Sequence, residues 1–221
     1  MRINADFNRR AVVHAASQDW TPSPAAGVER KMLDRVGEEV ARATTIVRFA
    51  PGSAFSEHTH GGGEEFLVLE GVFQDELGDY GVGSYVRNPP TSRHAPRSAE
   101  GCTIFVKLHQ FDPADRRHVR LDIDAIAPVS VDGAAGVTRI SLYQDEHETV
   151  CVENWAPGAK ITRDLPGGLE ALVLRGGFQE HEDTLAPCSW LRLPKGSRLE
   201  ATAGAEGARV WIKTGHLLAL G

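Results

Sequence analysis

The chain of 221 residues repeats its own pattern once, and this internal repeat limits the possible folds more than any other feature of the sequence. Four blocks return in the same order at an offset of 105 or 106 residues. They pair FAPGSAF (49–55) with WAPGAKI (155–161), EEFLVLEGVFQDE (64–76) with LEALVLRGGFQEH (169–181), GSYVRNPPTSRH (83–94) with CSWLRLPKGSRL (188–199), and AEGCTIFVK (99–107) with AEGARVWIK (205–213). Such a unit is far longer than a solenoid repeat, so the pattern predicts two copies of one domain.

Each copy contains short runs of β-branched and aromatic residues, such as ATTIVRF and EFLVLEG, separated by Gly- and Pro-rich turn sequences. No segment shows a clear apolar period of 3.6 residues, and VERKML and VTRISL are typical of partner strands. We therefore predict an all-β chain of two sandwiches or barrels. The expected domains are an N-terminal extension or added edge strand (1–20), a first domain (21–112) and a second domain (113–221).

The charge and composition argue against several classes of protein. The net charge is −6 and no dense run of Lys or Arg occurs, which predicts no direct binding to nucleic acid and no basic membrane patch. The first residues lack the apolar core of a signal peptide, and no segment approaches 18 consecutive apolar residues. The three cysteines match neither a zinc spacing nor a disulfide framework, so we expect a cytoplasmic protein.

The stretch SEHTHGGGEEF holds the strongest candidate site. His58 and His60 are two residues apart, so on a strand both imidazoles project from one face. The glycines that follow allow a sharp turn before Glu64, and His94 comes near the end of a later strand. Three imidazoles and one carboxylate inside a barrel would suit a divalent first-row metal and would leave the site at a net charge of +1.

Other histidines and carboxylates fit the ligand pattern less well than these four. Glu65 is the alternative carboxylate, but strand alternation and the six-residue gap to Gly71 favour Glu64, so Glu65 is expected to face outward. His109 could reach the mouth of a pocket. The remaining histidines fit no ligand spacing and are expected at the surface or hydrogen-bonded; they are His14, His118, His147, His181 and His216. The cysteines are expected to be small buried hydrophobes.

The first copy resembles a cupin domain. The first cupin motif is matched throughout by Gly52, His58, His60, Glu64 and Gly71 at their spacings. The second motif is matched by Gly83, Pro89 and His94, with Thr91 in place of the usual glycine and Ser98 in place of the usual asparagine. This resemblance implies a double-stranded β-helix, or jelly roll, and through the repeat two tandem cupin barrels.

The motif region HTHGGGEEFLVLEGVFQDELGDYGVGSYVRNPPTSRHAPRS resembles more narrowly the cupin domain of ChrR-type anti-sigma factors. In that family two histidines, a glutamate and a later histidine hold zinc, which implies His58, His60, Glu64 and His94 as ligands of one divalent metal per chain. On this resemblance zinc is the expected metal, and iron, manganese, nickel or copper are the alternatives. ChrR proteins that bind a sigma factor use a separate helical N-terminal zinc domain with an HxxxCxxC motif, and the first cysteine of this chain is Cys102.

The second copy has lost the ligand pattern. Through the repeat, the four positions become Asp164, Pro166, Leu169 and Leu199. Proline and leucine side chains cannot bind a metal, and one aspartate alone would bind weakly. We therefore predict a metal-free second barrel that serves packing, dimer formation or closure over the first site.

Three functions fit this sequence. The first is a regulatory or sensing module related to anti-sigma factors in transcription regulation, with a small-molecule ligand or oxidant near the metal and a possible regulatory protein partner. The alternative is an Fe(II)-dependent dioxygenase acting on a diketone or hydroxyketone. The third is a structural barrel stabilised by its metal. Catalytic residues are not identified by the sequence, and a monomer or a homodimer fits equally.

Overall fold

The computed structural model describes residues 1–218 and divides into two compact units. The first unit comprises residues 1–5 and 18–124, and the second comprises residues 6–17 and 125 to the end of the described chain. Strands are numbered below in chain order. Within residues 1–218 no α-helix occurs, and one short 3-10 helix spans Ala15–Ser17. No helix in this part of the chain is long and apolar enough to cross a membrane.

The first unit is built from short strands joined by tight turns. Its strands are β1 (Arg2–Ile3), β3 (Thr21–Pro22), β4 (Val28–Gly37), β5 (Ala41–Phe49), β6 (Ser53–Ala54), β7 (His58–Thr59), β8 (Glu64–Gly71), β9 (Phe73–Asp75), β10 (Gly78–Tyr80), β11 (Ser84–Asn88), β12 (Arg93–His94), β13 (Arg97–Ser98), β14 (Cys102–Leu108) and β15 (Val119–Asp122).

All strand pairs of the first unit are antiparallel. The main sheet has the order β1-β4-β5-β14-β8-β11-β15, with β3 also paired to β4. A second sheet has the order β10-β9-β13-β6, and β12 pairs with β7 as a two-stranded ribbon. Neighbours in the main sheet come from distant parts of the chain, as in a jelly roll rather than a simple meander. The ribbon of β7 and β12 carries candidate ligands on both of its strands.

Aromatic side chains fill the interior of the first unit. Alternation along β8 sends Phe66 and Val68 inward, where they join Phe49 and Phe73 in one cluster of buried residues. The rings of Phe66 and Phe73 lie 4.6 Å apart, and those of Phe49 and Phe73 lie 5.7 Å apart in an edge-to-face arrangement. Each such contact contributes about 1 kcal/mol beyond the burial of apolar area. The core therefore holds β8 and β9 firmly beneath the candidate ligands.

The second unit repeats this construction in longer strands. It contains β2 (Ala11–His14), β16 (Val129–Ser130), β17 (Val137–Gln144), β18 (Thr149–Trp155), β19 (Lys160–Leu165), β20 (Leu169–Glu180), β21 (Asp183–Leu185), β22 (Ser189–Leu193) and β23 (Ser197–Thr214). The sheet order is β16-β17-β18-β23-β20-β22-β2, with β19 paired to β23 and β21 paired to β20. Its core is largely aliphatic, with Trp155 and Phe178 packed at 4.9 Å between ring centroids.

One glycine pair explains why the repeat preserves its glycines. Gly71 has a φ of +68°, and a Cβ added there would lie 2.1 Å from the carbonyl oxygen of Gly101. Gly176 has a φ of +69° and would place a Cβ at the same distance from the carbonyl oxygen of Gly207. Only glycine tolerates both the positive φ and the close backbone approach, so the same close contact between paired strands is specified in both units.

The prediction of an all-β chain agrees with these strands, and the segments VERKML and VTRISL lie in β4 and β17. The boundaries of the two units differ from the domain limits expected from sequence. Strand β15 pairs with β11, so residues 113–124 lie in the first unit. Strand β2 pairs with β22, so the N-terminal segment 6–17 adds an edge strand to the second unit. Long-range pairing of this kind leaves no local pattern in a sequence.

Candidate metal centre

Three local structures of the first unit bring the four candidate ligands together. His58 lies on β7 directly opposite His94 on β12, so both rings belong to one ribbon. His60 follows β7, where its amide donates to the carbonyl oxygen of Ser92 at 2.9 Å. After the turn at residues 61–63, Glu64 begins β8. The predicted convergence of His58, His60, Glu64 and His94 is therefore what the structure contains.

The four groups have the spacing that a single cation requires. One donor atom from each residue can be chosen so that all four lie within 4.8 Å of one another. The centroids of the imidazole rings are 5.1 Å apart for His58 and His60, 5.0 Å for His58 and His94, and 4.7 Å for His60 and His94. Oε2 of Glu64 lies 3.4 Å from Nε2 of His60 and 3.4 Å from Nε2 of His94.

The inner nitrogens of two rings lack hydrogen-bond partners. Nε2 of His60 and Nε2 of His94 are buried, and neither makes a hydrogen bond within residues 1–218. A buried polar atom left without a partner destabilises a fold by about 1–3 kcal/mol. Both atoms point toward the space beside the Glu64 carboxylate, where a divalent cation would satisfy them. The donor set therefore fits a metal ion.

The outer nitrogens of all three rings are held from outside the cluster. Nδ1 of His58 lies 3.3 Å from the carbonyl oxygen of Ser56, and Nδ1 of His60 lies 3.0 Å from Oγ of Ser92. The Ser92 hydroxyl donates its hydrogen to the carbonyl oxygen of Pro89 at 2.6 Å, so its Oγ accepts from His60. These contacts place the ring proton on Nδ1 and leave the Nε2 lone pair for a metal.

The third ring and the carboxylate are anchored in the same way. Nδ1 of His94 lies 3.3 Å from Oδ2 of Asp75, a carboxylate that is 2% exposed. Oε2 of Glu64 accepts a hydrogen bond from Nδ2 of Asn88 at 3.2 Å. Because the outer partners fix the rotation of each group, the donors are arranged before any ion enters.

Burial affects the protonation of His60, one of the inner residues of the cluster. His60, Glu64 and His94 are buried, whereas His58 is exposed. Burial is the largest influence on the pKa of His60 and lowers it, and the neighbouring Glu64 carboxylate opposes the shift. A lowered pKa keeps His60 neutral near pH 7, which is the form that binds a metal.

The surroundings leave one side of the cluster open. The ring of Phe73 lies 5.8 Å from that of His94, and Phe66 and Tyr80 pack against Phe73. These aromatic side chains close the interior side. His58 is exposed, so a ligand approaching the cation would enter past this residue.

The second unit does not reproduce the cluster. The side chain of Asp164, in the place of His58, is 81% exposed and pairs with Arg198 at 3.3 Å. Pro166 is exposed, and Leu169 and Leu199 are fully buried in the aliphatic core. The absence of a metal from this unit stays a prediction, supported by three positions that carry no donor atom in their side chains.

One expectation about the site was wrong. Glu65 does point away from Glu64, as alternation requires, but it is only 2% exposed. Its Oε1 accepts a hydrogen bond from the Tyr85 hydroxyl at 2.6 Å, and its Oε2 lies 3.5 Å from Nη1 of Arg87. Alternation shows which face of a strand a residue occupies, and here both faces of β8 are buried.

The remaining histidines and cysteines of the sequence pattern include His109, His216 and the three cysteines. His109 is exposed, approaches the backbone of Gly62 and contributes to the electrostatic field at His60. The side chain of His216 is 4% exposed, and its Nε2 lies 2.9 Å from Oε1 of Glu170. Cys102 and Cys151 are buried, which raises the pKa of the Cys151 thiol to about 12, whereas Cys188 is half-buried.

Sequence reasoning missed the residues that hold the ligands in place. Asp75, Ser92 and Asn88 come from three different segments, and none has a ligand spacing of its own. A signal was available for Asp75, because it opens the DELGDY segment and the repeat keeps a carboxylate there, at Glu180.

Comparisons with known proteins agree with this architecture. Residues 8–112 match the model of the family described as the ChrR Cupin-like domain. No curated protein matches the chain by sequence.

Solved structures share the fold at low identity. A candidate dioxygenase from Nostoc punctiforme has a TM-score of 0.79 and 15% identity, over 93% of this chain and 82% of that chain. The protein YlbA from Escherichia coli has a TM-score of 0.72 and 14% identity, over 96% and 93% of the two chains. The bacterial pirin YhhW from Escherichia coli, in complex with nickel(II), has a TM-score of 0.67 and 11% identity, over 94% and 99%. These likenesses confirm the all-β jelly-roll fold class, and with the family match they support a member of the cupin superfamily.

Proposed function

We propose that His58, His60, Glu64 and His94 hold one divalent cation and that the chain works as a metal-dependent regulatory or sensing cupin. The observation that carries the metal site is the arrangement of the rings. Nδ1 of each histidine is engaged from outside, while Nε2 of His60 and Nε2 of His94 are buried without a hydrogen-bond partner in the described chain. Zinc is the first expectation, with iron, manganese or nickel as alternatives.

The charges of the cluster support binding of a divalent ion. The carboxylate of Glu64 lies 3.4 Å from two ring nitrogens, Nε2 of His60 and Nε2 of His94. A bound cation would act as a Lewis acid toward an oxygen-containing ligand that enters past His58. The chain's own residues orient the donors and, through Phe73 and the side chains packed on it, exclude water from the interior side.

The regulatory role rests on how the ligands connect to surface segments. His60 is tied to the turn at residues 89–92, and His94 is tied to the hairpin of β9 and β10. Loss of the cation would leave the buried ring nitrogens without a partner again. The resulting destabilisation would act on the turn at residues 89–92 and on the hairpin of β9 and β10. A regulatory protein partner could detect the resulting change. The match of residues 8–112 to a ChrR Cupin-like domain favours this role.

The metal site is tested by anaerobic purification of the full chain followed by elemental analysis. We expect close to one divalent metal per chain and almost none in the His94→Ala variant. His118→Ala, which alters an exposed histidine outside the cluster, should keep the metal. Equal metal content in all three proteins would contradict the proposed site.

The sensing role is tested by hydrogen exchange of metal-loaded, metal-free and peroxide-treated protein. We expect faster exchange in residues 73–80 and 89–98 when the metal is removed, and a similar increase when the oxidant releases it. Unchanged exchange in both segments would contradict a sensing role while leaving the metal site intact.

A dioxygenase is the second candidate, favoured by the fold shared with the candidate dioxygenase from Nostoc punctiforme. Fe(II) would supply the redox chemistry, and the open side at His58 would admit a bidentate diketone or hydroxyketone. Fe(II)-loaded protein should then consume O₂ when such compounds are added. No uptake with any of them, alongside full iron occupancy, would exclude this candidate for those substrates.

A further inference from the structure

We infer that Asp75 is a positioning residue for the metal centre, forming with Tyr80 and Arg120 a hydrogen-bonded chain that runs from an exposed arginine to the ring of His94. The inference rests on the proposed function, because it assigns a role to residues around that same site. Asp75 is only 2% exposed. Its carboxylate contacts three hydrogen-bond partners, the amide of Leu77, the hydroxyl of Tyr80 and the ring of His94, and these contacts fix its orientation.

Each link of this chain has a defined direction. Nε of Arg120 donates to the Tyr80 hydroxyl oxygen at 3.1 Å, and the Tyr80 hydroxyl donates to Oδ1 of Asp75 at 3.2 Å. The backbone amide of Leu77 also donates to Oδ1, at 2.7 Å. These donors occupy Oδ1 and leave Oδ2, 3.3 Å from Nδ1 of His94, to accept from that ring. Burial raises the pKa of Tyr80, so the phenol stays protonated and continues to donate.

A buried carboxylate on the far nitrogen changes what His94 offers a metal. It fixes the tautomer and the ring orientation, and it raises the basicity of Nε2. It also adds a negative charge that the ligand pattern alone does not reveal. With Glu64 and Asp75 both counted, a divalent cation would be neutralised, rather than left at the +1 that the four ligands predict.

The second unit provides an internal comparison. In the repeat Asp75 corresponds to Glu180, which is fully buried, and His94 corresponds to Leu199. With leucine at position 199, Glu180 pairs instead with Arg10, whose Nη2 lies 2.5 Å and Nε 3.0 Å from its Oε2, and its Oε1 lies 3.3 Å from Nε2 of the adjacent His181. The carboxylate position thus has a cationic partner even where the ligands are lost. In the first unit, His94 with its metal takes that place.

The test measures zinc affinity of the full chain by competition with a chromophoric chelator, and the visible spectrum of the Co(II)-loaded protein. Asp75→Asn should weaken zinc binding by about 10–100-fold and shift the Co(II) bands, because the ring loses its anionic partner. Asp75→Glu should recover most of the affinity, since the equivalent hairpin already accommodates a glutamate. Tyr80→Phe should weaken binding severalfold.

Two matched controls separate positioning from general loosening of the hairpin. Glu76→Gln alters the neighbouring carboxylate, which accepts from the amide of Ala95 at 3.0 Å and does not touch the His94 ring. Glu180→Gln alters the equivalent carboxylate of the second unit. Both should keep zinc affinity within twofold of the unmodified chain.

The inference is overturned if Asp75→Asn binds zinc within twofold of the unmodified protein with an unchanged Co(II) spectrum, or if Glu76→Gln is weakened equally. If Asp75→Asn does not fold, an unchanged Tyr80→Phe overturns it instead. Zinc binding that is lost in His94→Ala but normal in Asp75→Asn would refute this inference alone. Absence of zinc binding by the unmodified chain would refute the metal centre and, with it, the role of Asp75.

Discussion

At the scale of single residues, Thr91 is a strained residue beside the candidate metal centre. Thr91 has a φ of +75°, a conformation that is unfavourable for a β-branched residue. Its amide donates to the carbonyl oxygen of His60 at 2.9 Å, and the adjoining Ser92 holds the His60 ring. The turn is therefore strained at the point where it fixes a ligand, and the cupin motif usually has glycine there.

Thr91→Gly should stabilise the metal-free protein by about 1 kcal/mol. Relief of the strained φ outweighs the added freedom of glycine in the unfolded chain. Urea unfolding measures the change. Thr91→Ala retains a Cβ at the same φ and should gain much less; an equal gain in both variants would show that strain at this residue is not the cause.

The lowered pKa of His60 predicts a loss of stability in acid. Because burial holds its folded pKa below the unfolded value of about 6.5, the unfolded chain binds more protons as the pH falls through that value. The free energy of unfolding of the metal-free protein should therefore fall from pH 7 toward pH 5. Urea unfolding across this range, compared with His60→Asn, isolates the contribution. An identical pH slope in the variant would assign the loss to other groups.

At the scale of elements, strand β8 separates two adjacent glutamates into different roles. Glu64 faces the histidines, whereas Glu65 contacts Tyr85 and Arg87 on the next strand, β11. The second unit keeps the outer contact but not the inner one, since Glu170 accepts from Nε1 of Trp190 at 3.3 Å while Leu169 is apolar. The repeat thus preserves the buried polar contact and abandons the ligand.

Matched substitutions on β8 should separate metal binding from stability. Glu64→Gln should weaken zinc binding by about 100-fold and leave the unfolding free energy of the metal-free protein nearly unchanged. Glu65→Gln should lower that free energy by about 2 kcal/mol, because Arg87 loses a buried anionic partner, and keep zinc affinity within threefold. Chelator competition and urea unfolding measure both variants. Similar effects of the two substitutions would contradict this division.

Much of the site could be predicted from sequence because its information is local. The spacing of His58, His60 and Glu64 follows from one strand, one turn and the next strand, and the repeat shows which positions the second copy has given up. The burial of Glu65 could not be predicted, because alternation defines a face but not what covers it. The contact of Asp75 with His94 could not be predicted, because it joins a hairpin to a residue on another strand.

At the scale of the whole molecule, two units of one design differ in what their cores hold. The first packs aromatic rings beneath a polar cluster, whereas the second places Leu169 and Leu199 where the ligands would be. A metal should therefore affect the stability of one unit directly. An ion that binds only the folded state adds about 2.7 kcal/mol at 100 times its dissociation constant.

Zinc should accordingly slow hydrogen exchange in residues 56–66 and 92–98 and leave residues 160–200 unaffected. The stoichiometry by titration should be one ion per chain. His94→Ala should abolish the protection in both segments, while Leu199→Ala, a core substitution in the second unit, should not. Protection of residues 160–200 in the His94→Ala protein would reveal a second site and contradict the assignment.

The edge strand β2 can pair only after a much later segment of the chain has been synthesised. Ala11 pairs with Arg192, a residue that leaves the ribosome 181 positions later. At roughly 5–20 residues per second, the amino-terminal segment waits about 10–40 s for its partner strand. By the end of that interval, all strands of the first unit have been translated. The second sheet is therefore completed with one of the oldest pieces of the nascent polypeptide.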